Sequence, residues 1–249
     1  MTTHVRARWR MPGCVLGWTL ATWPAAGWAQ GTYGGHVAAA TDYVLRGVSQ
    51  TRGAPALQVD LHYTTANGWF AGAWASTVDL NPGAGATLEL NAYAGRSWAV
   101  GESWNARLAA VHYAYPNDNA SLRYDYDELT ASLAFRDRLS ASIAWSPNTS
   151  RYSRYFVASE RTALTYDLVG QWLLHGALSA NGGIGYYDLD DLYDTGYGYW
   201  SAGLAWNLPH LQFNLGYYAS AATAEELFGS ESTGTRWALT VTWQFQRTR

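Results

Sequence analysis

Apolar and polar residues alternate along most of this chain. The segment 57–63 changes from apolar to polar at every step, and the segments 129–135, 139–145, 211–217 and 237–245 repeat that pattern. Successive side chains of a β-strand point to opposite faces, whereas one face of a helix recurs every three or four residues. The period of two therefore predicts strands with one apolar and one polar face.

The full pattern predicts twelve strands. They span residues 33–45, 57–64, 69–78, 87–96, 104–114, 126–135, 139–146, 162–172, 177–187, 198–208, 211–219 and 236–245. The segment 177–187 has a weak signal, so ten strands remain the alternative count. In the segment 69–78 two opposite sets of apolar residues compete for the apolar face, so the sequence leaves its inward face undecided.

The connections between these strands alternate in length. Tight turns at 67–68, 136–138, 175–176 and 209–210 lie on one side, where the segment 97–103 is longer than the others. On the other side lie longer connections rich in Gly, Pro, Asn, Asp and Ser, at 46–56, 79–86, 115–125, 147–161, 188–197 and 220–235. This pattern predicts an all-β fold, a single transmembrane up-and-down antiparallel β-barrel with short periplasmic turns and longer extracellular loops.

Aromatic residues gather at the ends of the predicted strands. Indole and phenol rings prefer the membrane interface, where an apolar ring and a polar tip are both accommodated. The short-turn side carries Tyr63, Trp69, Trp104, Phe135, Trp172, Trp206 and Phe245, and the loop side carries Tyr43, Trp145, Tyr217 and Trp237. Two such girdles are typical of outer-membrane barrels. A soluble sandwich or barrel with an aromatic core is the alternative.

The N-terminal segment 1–29 is predicted to be a cleaved signal peptide. Three arginines at positions 6, 8 and 10 precede a short apolar stretch, and Gly27-Trp28-Ala29 has the small-x-small form of a cleavage site. Residues 30–249 then form one barrel domain. Export of this kind predicts the outer membrane of a Gram-negative bacterium as the location.

Composition changes the picture in three ways. The chain has 14 Trp, 18 Tyr and 25 Gly but only 14% charged residues, which favours a membrane barrel over a soluble domain. Its formal charge is −3, and removal of the three signal-peptide arginines makes it −6, which argues against a nucleic-acid partner. The one cysteine, Cys14, lies in the signal peptide, so the mature chain has no thiolate or disulfide chemistry.

One region resembles a known family. The segments 42–50 (DYVLRGVSQ), 55–58 (PALQ), 68–76 (GWFAGAWAS) and 89–95 (ELNAYAG) are similar to the TorF-type porin family, also catalogued as the Gcw_chp proteobacterial domain. The likeness covers most of the mature chain, and its specific part is the first fifty or so mature residues. It implies an outer-membrane barrel, and the porin function attached to that family follows from its fold.

If the apolar face of each strand contacts lipid, the opposite face lines the lumen. Charge on the lipid face at mid-depth costs about 2–4 kcal/mol for arginine, so charged residues are expected to point inward. The predicted pore-lining residues are Asp42, Arg46, Asp60, His62, Glu89, Arg107, Glu128, Asp167 and Arg236. Five acids against three arginines suggest a weak cation preference, and the alternative is that these residues form internal ion pairs that plug the barrel.

Lumen size and the first strand restrict the expected pore further. Twelve strands spaced ~4.8 Å apart and tilted ~40° give a backbone radius of roughly 10–12 Å, which leaves a narrow passage or none. Asp42 and Arg46 are four residues apart on the predicted inner face of the first strand. They are expected to bind each other or to contact Glu89 or Arg236 across the lumen.

Catalytic and metal sites have little support. No G-x-S-x-G motif occurs, and the six histidines show no metal-ligand spacing. An Asp60–His62 pair is conceivable as part of a lipid-modifying site, but no nucleophile is evident. The acidic segment 188–194 lacks the pattern of an EF-hand calcium loop, so we interpret it as a solvated extracellular loop. We therefore expect a non-enzymatic protein without cofactor or metal.

The sequence thus predicts a monomeric, narrow porin for small polar solutes or ions. A closed barrel that acts through its extracellular loops, in adhesion, reception or membrane integrity, is the alternative, and a lipid-modifying enzyme is a third. The expected partners are the lipid bilayer, lipopolysaccharide and, during biogenesis, the barrel-assembly machinery.

Overall fold

A computed structural model describes residues 31–80, 85–116, 124–150 and 160–248. The predicted signal peptide lies outside these residues. The strands are β1 (Thr32–Ala40), β2 (Val44–Leu45), β3 (Val48–Ser49), β4 (Ala56–Thr64), β5 (Trp69–Thr77), β6 (Leu88–Val100), β7 (Trp104–Ala114), β8 (Tyr126–Phe135), β9 (Leu139–Ser150), β10 (Glu160–His175), β11 (Leu178–Leu189), β12 (Thr195–Asn207), β13 (Leu211–Ser220) and β14 (Thr235–Thr248). The short helices are α1 (Asp190–Tyr193) and α2 (Ala222–Phe228).

Twelve of these strands close into one antiparallel barrel, which confirms the predicted fold class and strand count. The strand β1 pairs with β4 on one side and with β14 on the other, and the remaining strands pair in chain order. The weakly predicted strand is real, because β11 pairs with β10 and β12 along its whole length. The strands β2 and β3 form a separate hairpin. No helix in the described part of the chain is long and apolar enough to cross a membrane.

Among the strand boundaries that differ from the prediction, the end of β6 and the end of β1 change the architecture. The strand β6 continues to Val100, so the connection that looked too long is a tight turn at 101–103. In contrast, β1 ends at Ala40, whereas the sequence predicted a strand to residue 45. The barrel strand stops there because the backbone turns away, and the segment 41–55 forms a structure of its own.

The outer surface of the barrel is apolar. Leucines 57 and 61 and Ile184 each expose more than half of their surface, at 55%, 57% and 61%. Soluble monomers seldom expose a continuous apolar surface of this kind. The ambiguous strand β5 also has a defined orientation, since Phe70 and Ser76 are buried inside while Trp69 is exposed.

Most of the predicted aromatic girdle residues do face outward. On the short-turn side Tyr63, Trp69, Trp104, Trp172 and Trp206 are exposed. On the loop side Trp145 and Trp237 are exposed too. The prediction for Tyr43 was wrong: this side chain is 3% exposed and lies inside the barrel, where its ring meets Trp74 at a centroid distance of 5.5 Å.

Candidate functional site

The lumen is lined by the polar faces of the strands. Of the nine predicted lumen residues, seven lie on barrel strands, namely Asp60, His62, Glu89, Arg107, Glu128, Asp167 and Arg236. All seven are buried or half-buried, in contrast to the exposed apolar residues beside them. The remaining two, Asp42 and Arg46, were wrongly placed on the first strand.

Asp42 and Arg46 belong to the segment 41–55, which we call the inner loop. The hairpin β2–β3 forms its centre and turns at Arg46 and Gly47, which both have positive φ (51° and 75°). Two-residue hairpin turns need positive φ at both central positions, and glycine supplies it without steric cost. The sequence predicted an extracellular loop at 46–56, and this prediction was wrong because the segment packs against the inner wall of the barrel. An Arg-Gly pair between Val44-Leu45 and Val48-Ser49 was the signal that this loop has a folded core.

The inner loop packs inside the half of the barrel that carries the long connections, which we call the extracellular half after the predicted orientation. Its Val44 packs with Tyr218 and Ala238, on β13 and β14. Its Val48 lies in a second cluster with residues of β10, β11 and β12. These strands are neighbours in the ring, but Tyr43 of the inner loop lies in a cluster with Val111 and Tyr113 of β7, six strands from β13, so the loop crosses the lumen.

Two ion pairs join the inner loop to the barrel wall. Arg46 donates through Nη2 to Glu128 Oε2 on β8, and its Cζ lies 4.6 Å from the centroid of the Tyr187 ring. Arg236 on β14 donates through Nη1 to Asp42 Oδ2 at 2.9 Å. The sequence had left open whether Asp42 and Arg46 bind each other, and the structure gives each a partner on the wall.

The carboxylate of Asp42 is fully engaged. Its Oδ1 accepts hydrogen bonds from the hydroxyls of Ser49 and Thr51, while Oδ2 accepts from Arg236. Thr51 also accepts from the Tyr43 backbone N–H at 3.2 Å. One buried acid therefore holds the beginning and the end of the inner loop together against β14.

Glu89 is the third acid beside the inner loop, and none of its surface is exposed. The Asn91 amide donates to its Oε1 at 2.8 Å, and the Tyr43 and Tyr115 phenols lie close enough for the charge of Glu89 to act on them. Burial raises the pKa of the Tyr43 phenol well above its ordinary range, and the neighbouring Glu89 raises it further. The pKa of Tyr115 is raised for the same two reasons, so both phenols remain neutral donors.

The half of the lumen that carries the short turns, which we call the periplasmic half after the predicted orientation, has a separate charged cluster. Asp60 Oδ1 lies 2.6 Å from His62 Nδ1 and 3.9 Å from His36 Nδ1, while Tyr93 donates to Asp60 Oδ2 at 2.6 Å. The hydrogen bonds described for Asp60 involve no serine or cysteine that could act as a nucleophile. Beside this cluster, the Arg107 guanidinium stacks over the Phe70 ring at 4.1 Å.

Amide and hydroxyl side chains from β10 to β13 form the opposite wall. Asn181 donates to Asn214 at 2.8 Å, and Gln212 donates to Asn207 at 2.8 Å. Asn207 and Gln171 both donate to the Ser179 hydroxyl, completing a second chain of hydrogen bonds. Because β7 and β13 lie six strands apart in either direction around the ring, this neutral wall faces the cluster that contains Arg107.

An aromatic wall surrounds Arg46, and the sequence pattern did not predict it. Five tyrosines point inward near the inner loop, namely Tyr113, Tyr126, Tyr187, Tyr197 and Tyr199. Tyr113 and Tyr126 are stacked at 4.2 Å with an interplanar angle of 7°. The expectation that apolar residues face lipid did not predict these inward tyrosines, because aromatic residues also face inward where a loop fills the lumen.

Two further predictions concern metals and the acidic segment. Among the described residues no group of three or more His, Cys, Asp or Glu side chains has the arrangement of a metal site. The segment 188–194 is more ordered than the predicted loop, since it forms the end of β11 and the helix α1. Asp167 is the remaining predicted lumen residue. Its carboxylate accepts a hydrogen bond from the Tyr199 hydroxyl at 2.6 Å.

Comparison with known proteins gives a family and a fold. A family model described as "Bacterial protein of unknown function (Gcw_chp)" matches residues 25–248. Among solved structures, the "NanC porin" is similar at a TM-score of 0.55 and 12% identity, and the "KdgM porin" at 0.52 and 8%. Each alignment covers 86% of this chain and 99% of the porin. At these identities the likeness shows the barrel fold alone, and no curated protein matches the chain.

Proposed function

This chain belongs to the Gcw_chp family of bacterial proteins of unknown function, and we propose that it is a narrow outer-membrane channel for small polar solutes. The observation that carries the proposal is the division of the closed barrel into an apolar outside and a polar, partly accessible inside. Ser132, Ser142 and Gln171 point into the periplasmic half of the lumen and keep accessible surface. A polar interior that keeps accessible surface is the environment that a small polar solute needs in order to enter the barrel.

The outer-membrane location is part of this proposal. Leu57, Leu61 and Ile184 present the kind of outer surface that hydrocarbon covers, and the exposed tryptophans lie at strand ends, where the interface is expected. The TorF-type porin resemblance and the predicted signal peptide agree with it. We further propose a monomer that contacts lipopolysaccharide and is inserted by the barrel-assembly machinery.

The inner loop determines how such a channel would conduct. It crosses the extracellular half of the lumen and is joined to the wall through Glu128 and Arg236. Solutes therefore pass only when the loop is displaced, or through a gap much narrower than the barrel. We expect small, brief openings from the wild-type protein.

Single-channel recording in a planar bilayer tests the proposal. The test compares the refolded mature protein with a variant whose residues 43–52 are replaced by a short Gly-Ser segment. We expect rare openings from the first and a larger, sustained conductance from the second. If both proteins insert and both remain silent, the channel proposal is wrong.

One observation favours a second candidate, a closed barrel that acts through its outer surface. The buried ion pairs of Asp42 and Arg46 suit a permanent plug as well as a movable one. This candidate predicts that the loop-replaced variant conducts while no condition opens the wild-type protein. A third arm, lipid turnover in micelles that is lost in His62→Ala, would indicate an enzyme.

A further inference from the structure

We propose that Glu128 and the tyrosines beside it form a recognition site for solutes that carry a guanidinium or ammonium group, and that Arg46 is its tethered occupant. The inference rests on the proposed channel function and names the solute class that the channel would favour. It requires that the receptor groups and the bound cation belong to different, separable parts of the molecule.

The wall alone supplies the groups that bind an organic cation. Glu128 is 3% exposed and offers a carboxylate, and Tyr187 offers the ring face over which the Arg46 guanidinium lies at 4.6 Å. The stacked pair of Tyr113 and Tyr126 closes another side. Carboxylates and aromatic faces in a site shielded from water are the two features that recognise guanidinium and ammonium ions.

The occupant comes from the inner loop, which is held in the lumen by apolar contacts as well as by this ion pair. Val44 and Val48 already bury apolar surface against five wall strands. A buried ion pair adds little net stability compared with apolar side chains of similar size, because both charges lose their hydration. A purely structural role would thus not favour arginine over an apolar side chain at this position, whereas imitation of a cationic solute requires its charge.

Removal of Arg46 leaves a negative wall. Glu128 would lose its partner, and Asp167 lies close enough for the charge of Arg46 to act on it. A solute cation arriving from outside competes with Arg46 for Glu128, and the loop leaves the lumen together with Arg46. A ligand shifts such an equilibrium only by its difference in affinity between the two states. Here the solute can bind only in the open state, because Arg46 fills the site in the closed state.

Binding of methylguanidinium to the Arg46→Ala protein tests the site itself. Isothermal titration in detergent is the measurement, and methylurea is the neutral probe of the same shape. We expect Arg46→Ala to bind methylguanidinium at least roughly tenfold more tightly than the wild type does, and at least roughly tenfold more tightly than it binds methylurea. Equal affinities in either comparison overturn the proposal.

Two further variants identify the source of the binding. In Arg46→Ala/Glu128→Gln we expect the gain to disappear, because the carboxylate is gone. In Asp42→Asn the other ion pair of the loop is broken while Arg46 still fills the site, so no gain is expected. A gain in either variant contradicts the site. If Arg46→Ala does not fold, the protein with residues 43–52 replaced by Gly-Ser carries the same vacant wall.

Recordings on the same proteins separate this inference from the channel proposal. Methylguanidinium binding without conductance in any variant supports the site and contradicts the channel. Openings of the wild-type protein without methylguanidinium binding to the variants support the channel and contradict the site. When both hold, methylguanidinium should raise the open probability of the wild-type protein and methylurea should not.

Discussion

The two halves of the lumen are made by the same strands and are filled in different ways. In the extracellular half the inner loop buries its own side chains against the wall, and Glu89, Tyr113 and Ala163 lose nearly all their exposure. In the periplasmic half no loop enters among the described residues; wall side chains such as Asp60 and Asn214 are buried by other wall groups there, while Ser132 and Ser142 keep accessible surface. A barrel wall thus sets the diameter, while a loop decides where along the axis the lumen is filled.

The two halves of the lumen also differ in how their charged side chains are paired. The charges of the extracellular half are paired between loop and wall, as Arg46 with Glu128 and Asp42 with Arg236. In the periplasmic half Asp60 bonds only to groups of the wall, so nothing there depends on the loop. Substitutions in the first half should therefore change opening, and substitutions in the second half should change selectivity.

The largest effect is expected from Glu128→Ala. It leaves Arg46 buried without its carboxylate, which weakens the seating of the inner loop by about 3–5 kcal/mol. The loop should then become accessible, and an arginine-specific protease should cut after Arg46 or Arg52 in the reconstituted protein. Ser132→Ala, four residues further along the same face of β8, is the matched control and should stay resistant. Equal resistance of both variants contradicts the role of the ion pair.

The next effect distinguishes two glycines of the inner loop. Gly47 and Gly53 both have positive φ, so alanine is strained at both positions. A Cβ on Gly47 would also lie 2.7 Å from Tyr199 Cβ, whereas a Cβ on Gly53 meets nothing within 4 Å. Overpacking costs typically about 1–3 kcal/mol. Gly47→Ala should raise the open probability above that of Gly53→Ala, and the reverse order would mean that the loop does not press on β12.

A smaller effect is expected from Asp60→Asn in the periplasmic half. The substitution removes one negative charge from the lumen without touching the inner loop. The ratio of cation to anion permeability, read from reversal potentials in a salt gradient, should fall while the open probability stays the same. A change in open probability with unchanged selectivity would show that the halves are coupled.

The smallest effect should come from Asn214→Ala. It removes one neutral hydrogen bond, which Asn181 donates at 2.8 Å, and such a bond contributes about 1 kcal/mol. Urea unfolding of the folded barrel should show a decrease of that size with no change in opening. A loss several times larger would mean that the amide wall stabilises the barrel and does not mainly face solutes.

The sequence predicted the barrel well because alternation depends on each strand alone. The period of two assigns Leu57 and Asp60 to opposite faces of their strand, and the same pattern assigns the faces of the other strands. The inner loop was missed because its position depends on contacts between distant segments. Nothing local to Arg46 shows that its partner is Glu128, eighty-two residues away. Tyr113 and Tyr199 were missed for a related reason, since their inward orientation suits only a filled lumen.

Cysteine accessibility tests the difference between the two halves most directly. The predicted mature chain contains no cysteine, so Ser76→Cys and Ser132→Cys each provide a single thiol on the inner face of the barrel. Ser76 is 1% exposed in the extracellular half, and Ser132 keeps accessible surface in the periplasmic half. With a charged methanethiosulfonate reagent, we predict fast reaction at position 132 and strong protection at position 76, which replacement of residues 43–52 should relieve. Equal rates at the two positions in the intact protein would contradict a lumen filled by the inner loop in one half only.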